Sequence, residues 1–462
     1  MNRRTLWLGI LALLPTYAAA ASPGAAPAQD ATDAPTSPTT PSARREATSP
    51  LDRARALAGR GDYAGALRVL DDSGDGAADV RALRARVLAW AHRHRAALSL
   101  NTPLYATSPG DYGIAWTQAL ARSQTYRPEE AVAPLRRAEA LEPNAADTRL
   151  LARIVRLPLL SSVGAGSSLY SDSDGIAIHQ QRATADLRLA DRWTLAADAG
   201  WQRFSADAGS PFVALTGGTN ASERVVRAGL DFAASADLRA GFRVGDSRVD
   251  PLGSAVVGNA YIQQYPTDSL AWTLDFTRAR LAASPRALAV LDNVTSLRAI
   301  WRPTAADALD ATFGHGNLSD GNQEDMLQAI YRHRVYSGVG AHVDVGAVAD
   351  LQQFSHGTNY GYYSPSFYRR FAPLVSGYFS VRPGVGLYLS AALGAQRDET
   401  FHSWKRAADL NAELTMGIYG HWQLVGWAAW SQRLNQLGQY RGSSVGLNLR
   451  YRFCAFDRSR CP

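Results

Sequence analysis

The chain has 462 residues, 48 Lys and Arg against 41 Asp and Glu, and a formal net charge of +7. This excess is small and forms no clustered basic stripe, which argues against a nucleic-acid binder. Hydrophobic residues make up 46% of the chain, with 11 Trp and 19 Tyr. Beyond the N-terminus no apolar run reaches the roughly 20 residues of a membrane helix, a combination that suits a β-barrel.

Met1 to Ala21 reads as a secretory signal. Arg3 and Arg4 form a basic start, Leu6 to Leu14 a short apolar run, and Ala18 to Ala21 offer small-residue cleavage positions. Residues 22–50 are dominated by Pro, Ala, Thr and Ser, have no apolar period, and are expected to be a disordered linker.

From Leu51 to Leu160 the apolar residues take a helical period. The stretch Arg95 to Asp111 aligns with Glu129 to Asp147. Ala97 falls on Ala131 and Pro109 on Pro143, both at an offset of 34 residues. An earlier copy begins at Gly59, with Gly61-Asp62-Tyr63 at its inter-helix turn. The period and the small residues resemble tetratricopeptide repeats. About three repeats and a further helix, Ala145 to Val155, would form a short α-solenoid with a concave binding surface.

From residue 161 to 453 the period becomes two. Trp193, Leu195, Ala197, Ala199 and Trp201 share one face of a strand; Thr194, Asp198 and Gln202 share the other. Similar runs hold Leu309, Ala311 and Phe313; Val385 to Ala395; and Leu410 to Ile418. Short turns are expected at 190–192, 235–237, 303–307, 382–384 and 419–421. Long loops are expected at 207–222, 245–259, 317–322, 354–365, 396–405 and 433–442. Unequal connections and one apolar face predict an antiparallel outer-membrane β-barrel of about 16 strands. An even number puts both barrel ends, the helical repeats and the tail 454–462 on the periplasmic side. Strand phase makes Tyr388, Ser390, Asn411, Thr415, Asn448 and Arg450 candidate lumen residues, with the apolar face toward outer-membrane lipid. The last strand is the plainest: Val445, Leu447, Leu449, Tyr451 and Phe453 alternate with Asn448, Arg450 and Arg452. Cys454 and Cys461 follow it and could pair as a terminal staple.

The residues point away from catalysis. The nine histidines are dispersed, so neither a metal site nor another cofactor is expected. His356 and His402 have serines nearby but no nucleophile elbow, and no enzymatic activity is expected.

One stretch is unusual. Asn359 to Phe371 reads NYGYYSPSFYRRF, with five aromatics before Arg369 around a Gly and a Ser-Pro turn. Aromatic faces at an outer rim can stack on sugars or simply form a girdle. Gly361, Tyr362, Tyr363, Ser364, Pro365 and Tyr368 match a signature late in the barrel of the cellulose synthase operon protein C (BcsC) family. The order of signal, repeats and C-terminal barrel is similar too, and poly-N-acetylglucosamine exporters (PgaA) share that plan. Cellulose exporters of this kind carry a longer repeat array. The resemblance implies passive export of a cellulose-like or poly-N-acetylglucosamine-like polysaccharide. It also implies that the repeats dock periplasmic or inner-membrane synthase components, or peptidoglycan. A general porin and a barrel-anchored scaffold are the alternatives, and loop 207–222 folded inward would close the lumen.

Overall fold

The computed structural model describes residues 49–74, 77–338, 340–435 and 437–456. The signal segment, residues 22–48 of the linker, and Cys461 lie outside the described residues. Pro50 is not linker: it opens the first helix, and the side chain of Ser49 accepts the backbone N–H of Asp52.

Seven α-helices are described: α1 (Pro50–Ala58), α2 (Tyr63–Asp72), α3 (Ala78–Trp90), α4 (His94–Thr107), α5 (Tyr112–Ser123), α6 (Val132–Leu141) and α7 (Ala146–Arg156). Local chemistry sets their starts. Asp62 caps α2 through Gly65 N (2.8 Å), and Asp111 caps α5 through Ile114 N (2.8 Å). Helices α3, α5 and α7 begin at residues 78, 112 and 146, a spacing of 34. Helix α5 is enclosed by α3, α4, α6 and α7, so Trp116 and Leu120 share a core with Leu88, Leu135, Leu151 and Val155. A buried amide ties α4 to α5: Asn101 Nδ2 donates to Gln118 Oε1 and to Ile114 O, both at 3.0 Å.

Sixteen strands follow. They are β1 (Ser161–Asp172), β2 (Ala177–Arg188), β3 (Trp193–Ser205), β4 (Asn220–Ala233), β5 (Leu238–Val249), β6 (Gly253–Thr267), β7 (Leu270–Arg280) and β8 (Leu291–Trp301). The second half comprises β9 (Asp307–Leu318), β10 (Gln323–Gly338), β11 (Ala341–Phe354), β12 (Tyr368–Arg382), β13 (Val385–Asp398), β14 (Lys405–Met416), β15 (Trp422–Asn435) and β16 (Gly438–Phe453). Each pairs antiparallel with its chain neighbours, and β1 pairs with β16, Ser161 opposite Phe453, to close the barrel. Closure leaves no unpaired edge. Because the count is even, the barrel begins and ends at one mouth, called here the helical mouth; the other is the distal mouth.

The outer face is apolar and uncovered. Val226, Val256, Val244, Leu393, Leu410, Val375 and Leu447 are each more than half exposed. A continuous belt of this kind is stable against hydrocarbon, not water. Aromatics gather where it ends at the helical mouth: Trp193 packs on Phe232 (4.4 Å between ring centroids) and Trp422 on Tyr451 (4.5 Å), which stacks on Phe453. No helix among the described residues is long and apolar enough to cross a membrane.

Connections depart from the expected pattern. Residues 245–259 and 433–442, expected as long loops, are mostly paired strand, with only 250–252 and 436–437 between strands, and the loop expected at 317–322 is a short turn at 319–322. Gly and Asn in these stretches read as loop residues, but the ladder outweighed that local signal. Three distal connections are long: 206–219, 281–290 and 355–367. The middle one was not legible, because its Ala- and Leu-rich sequence resembles strand.

Candidate channel lumen and its two mouths

Inward positions carry many polar and charged side chains that are buried and paired. Arg227 Nη2 lies 2.9 Å from Asp198 Oδ2, and Arg243 Nη2 3.1 Å from Asp231 Oδ2. Between β11, β12, β14 and β15, Arg370 and Arg433 share Asp350 and Asp409; Arg433 Nη2 is 2.9 Å from Asp409 Oδ2. Tyr368 joins this network by accepting from Arg433 Nη1 (3.3 Å) and donating to Gln396 Oε1 (2.9 Å). Buried charges are tolerable only when paired in this way.

The sequence candidates fall on these inner positions in different states of exposure. Ser390 and Asn411 are buried and bonded, Asn411 Nδ2 donating to Ser390 Oγ at 3.2 Å. Thr415 is fully buried, its hydroxyl 3.4 Å from Glu413 Oε1. Tyr388 and Arg450 are half-buried, and Asn448 is exposed although it points away from the outer belt. Solvent space therefore reaches the wall at β16. Sequence reading missed Trp427, an inward, half-buried residue of β15. The run WQLVGWAAW is apolar at both phases, so its inner face could not be told from its outer one.

The aromatic motif is not displayed. Gly361, Tyr362, Tyr363, Ser364 and Pro365 are all buried in the β11–β12 loop, and Tyr368, also buried, opens β12. An exposed rim of sugar-stacking rings is thus replaced by packing. Tyr362 is 2% exposed and fits among Leu281, Ala287, Val290, Leu318 and Phe354. Its hydroxyl donates to Asp320 Oδ2 (2.7 Å) and accepts from Asn322 Nδ2 (3.0 Å). Tyr363 packs with Tyr368 and Leu434. Burial raises the pKa of both loop tyrosines, so both remain donors. In Tyr360 the motif segment keeps an exposed ring. It lines a surface cavity of about 580 Å³ together with Asp320, His356 and Glu399.

The three long distal loops interlock. Ser284 Oγ donates to Gly361 O (2.7 Å). Arg286 donates through its backbone N to Phe212 O (3.1 Å), through Nε to Val213 O (3.1 Å) and through Nη1 to Asn359 O (3.4 Å). These loops follow β3, β7 and β11, four strands apart in a ring of sixteen. They rise a quarter-turn from one another, so contacts among all three extend over the distal mouth. Loop 206–219 contributes to this cap and does not close the lumen alone.

The helices sit on the other mouth. Asp268, in the β6–β7 turn, accepts the backbone N–H groups of Arg95 and Ala96, both at 2.9 Å, and so caps α4 from the barrel. Arg95 also pairs with Asp237, in the β4–β5 turn, and Arg188 Nη2 lies 3.0 Å from Glu129 Oε2. Tyr126 packs against Tyr265 (5.1 Å) beneath Arg239. His94 faces Asp268 (3.5 Å) and Asp237 (3.9 Å). Burial lowers the pKa of His94 against the pull of these carboxylates, and burial with nearby Arg302 lowers His92 to about 4. Every one of these contacts lies on the β2–β9 side of the mouth.

No protein-family model matches the chain, and no curated protein does. Solved structures do. One described as a bacterial polysaccharide outer membrane secretin is 14% identical, with a TM-score of 0.55 over 64% of this chain and 98% of that one. CdiB from Acinetobacter baumannii matches at 8% identity and a TM-score of 0.39, covering 62% of this chain and 60% of its own. OccAB4 from Acinetobacter baumannii matches at 10% and 0.33, covering 63% and 98%. The first likeness, at this identity, concerns the fold of the barrel; the other two are too remote in shape to carry an argument.

Proposed function

We propose that the protein is an outer-membrane channel that exports an exopolysaccharide, cellulose-like or poly-N-acetylglucosamine-like, with its helices in the periplasm. The observation that carries this reading is the pairing of a closed, lipid-suited barrel of sixteen strands with a helical array fixed to one side of one mouth. A barrel of this size is wide enough for an aqueous passage. The polar inner wall suits a hydroxyl-rich cargo, and the similar fold of a polysaccharide secretin supports the cargo class. The 34-residue helical spacing supports reading the helices as tetratricopeptide-like, with synthase components or peptidoglycan as partners. The polymer's own synthesis would supply the driving force. Deleting the gene in its native host should abolish secreted polymer, and restoring the full chain should return it; unchanged secretion would sink the proposal.

The distal cap favours a second reading, a barrel that anchors a scaffold and conducts nothing. Planar-bilayer recording with the three capping loops shortened separates the two: a scaffold stays silent.

A further inference from the structure

The closed register sets inward side chains in rows that run from strand to strand. One row passes from Tyr378 to Tyr388, Glu413, Trp427, Gly446 and Ser168, each directly opposite the next on β12, β13, β14, β15, β16 and β1. Barrel strands tilt by roughly 35–45° from the axis, so such a row climbs the wall. Tyr378 lies near the helical end of β12, while Ser168 pairs with Gln180 near the distal start of β2.

The row has an uncommon composition. It holds one carboxylate, no Lys or Arg, and two half-buried aromatics, Tyr388 and Trp427. The indole of Trp427 lies across Gly446, in space that any Cβ there would need. The ring is thus laid along the wall, with lumen beside it at exposed Asn448. The row on the distal side supplies Ser390 and Asn411, directly paired, and the row on the helical side pairs Val425 with Asn448. Tyr388 and Trp427 stand two strands apart, roughly 10 Å, a span that a disaccharide unit bridges.

Resting on the export reading above, we propose that Tyr388 and Trp427 form a stacking track for an uncharged, hydroxyl-rich polysaccharide. The aromatic rings meet the C–H faces of successive sugars, and the amide of Asn448 takes their hydroxyls. Repeated weak contacts of this kind let a polymer advance without being trapped. The absence of a cation from the row disfavours a polyuronate cargo.

The test is calorimetric titration of the full chain in detergent with cellohexaose, chitohexaose and an oligogalacturonate. Trp427→Ala, Trp427→Leu and Trp427→Phe are compared, and heat-modifiable gel mobility confirms an intact barrel. Trp427→Ala and Trp427→Leu should weaken binding of the neutral oligomers by about 2- to 10-fold, while Trp427→Phe keeps most of it. Leu performing as well as Phe, or Ala as well as the unaltered chain, would show that the ring only fills space and would overturn the track. Tighter binding of oligogalacturonate would overturn the charge assignment. An unaltered chain that binds none of the three would instead count against the export reading itself.

Discussion

Gly361 shows how one residue can hold a cap closed. Its φ is +77°, and a Cβ there would lie 2.5 Å from Ser284 Oγ and 2.7 Å from Arg286 Cβ. A side chain in the left-handed region costs about 1–2 kcal/mol before the clash is counted. Gly361→Ala should therefore loosen the cap and raise the open fraction in single-channel recordings; a variant as quiet as the original would remove Gly361 from the closure. His92 sets a pH limit at the other mouth. Its folded pKa is about 4, against about 6.5 when unfolded. Both states are neutral above that range. As the pH falls through it, the unfolded or undocked chain takes up protons first, so docking weakens. Limited proteolysis should release the helices faster at about pH 5 than at about pH 7, and His92→Asn, which tolerates the positive φ of 58°, should flatten the difference.

At the scale of elements, the turn between β6 and β7 does more than reverse the chain. Asp268 supplies the N-terminal cap that α4 lacks in its own sequence, since Arg93 precedes the helix and makes no side-chain cap. Asp268→Ala should cost about 1 kcal/mol of docking. The measurable result is faster cleavage between α7 and β1 with unchanged heat-modifiable mobility of the barrel; loss of that mobility would mean Asp268 stabilises the barrel instead. The strands themselves were readable where one phase is apolar throughout, as in Val445 to Phe453. They were unreadable where both phases are apolar, as in β15, and Trp427 was lost for that reason. The motif loop was legible as an anomaly but its direction was not. Alternation fixes which way a strand residue points, whereas no local rule tells whether a Tyr in a thirteen-residue loop faces water or a neighbouring loop.

For the whole molecule, the two mouths are treated differently. The helices are clamped to the β2–β9 side of one, and three loops a quarter-turn apart meet over the other. Shortening 281–290 and 355–367 together should remove the Ser284–Gly361 and Arg286 bonds and convert a nearly silent protein into a conducting one in planar bilayers. Persistent silence would mean that the inner side chains, not the cap, obstruct the passage.

The sequence alone determined the alternation of faces and the 34-residue helical period, because each follows from local geometry repeated along the chain; it put the strand count only at about 16, and the pairing fixed it at sixteen. Closure, and with it the meeting of β1 with β16, was decided by pairing between residues some 290 positions apart, Ser161 and Phe453. The same is true of the cap, the borrowed helix cap at Asp268 and the row that brings Tyr388 beside Trp427. Each depends on which strands lie side by side in a closed ring, and that order is a property of the register, not of any one segment.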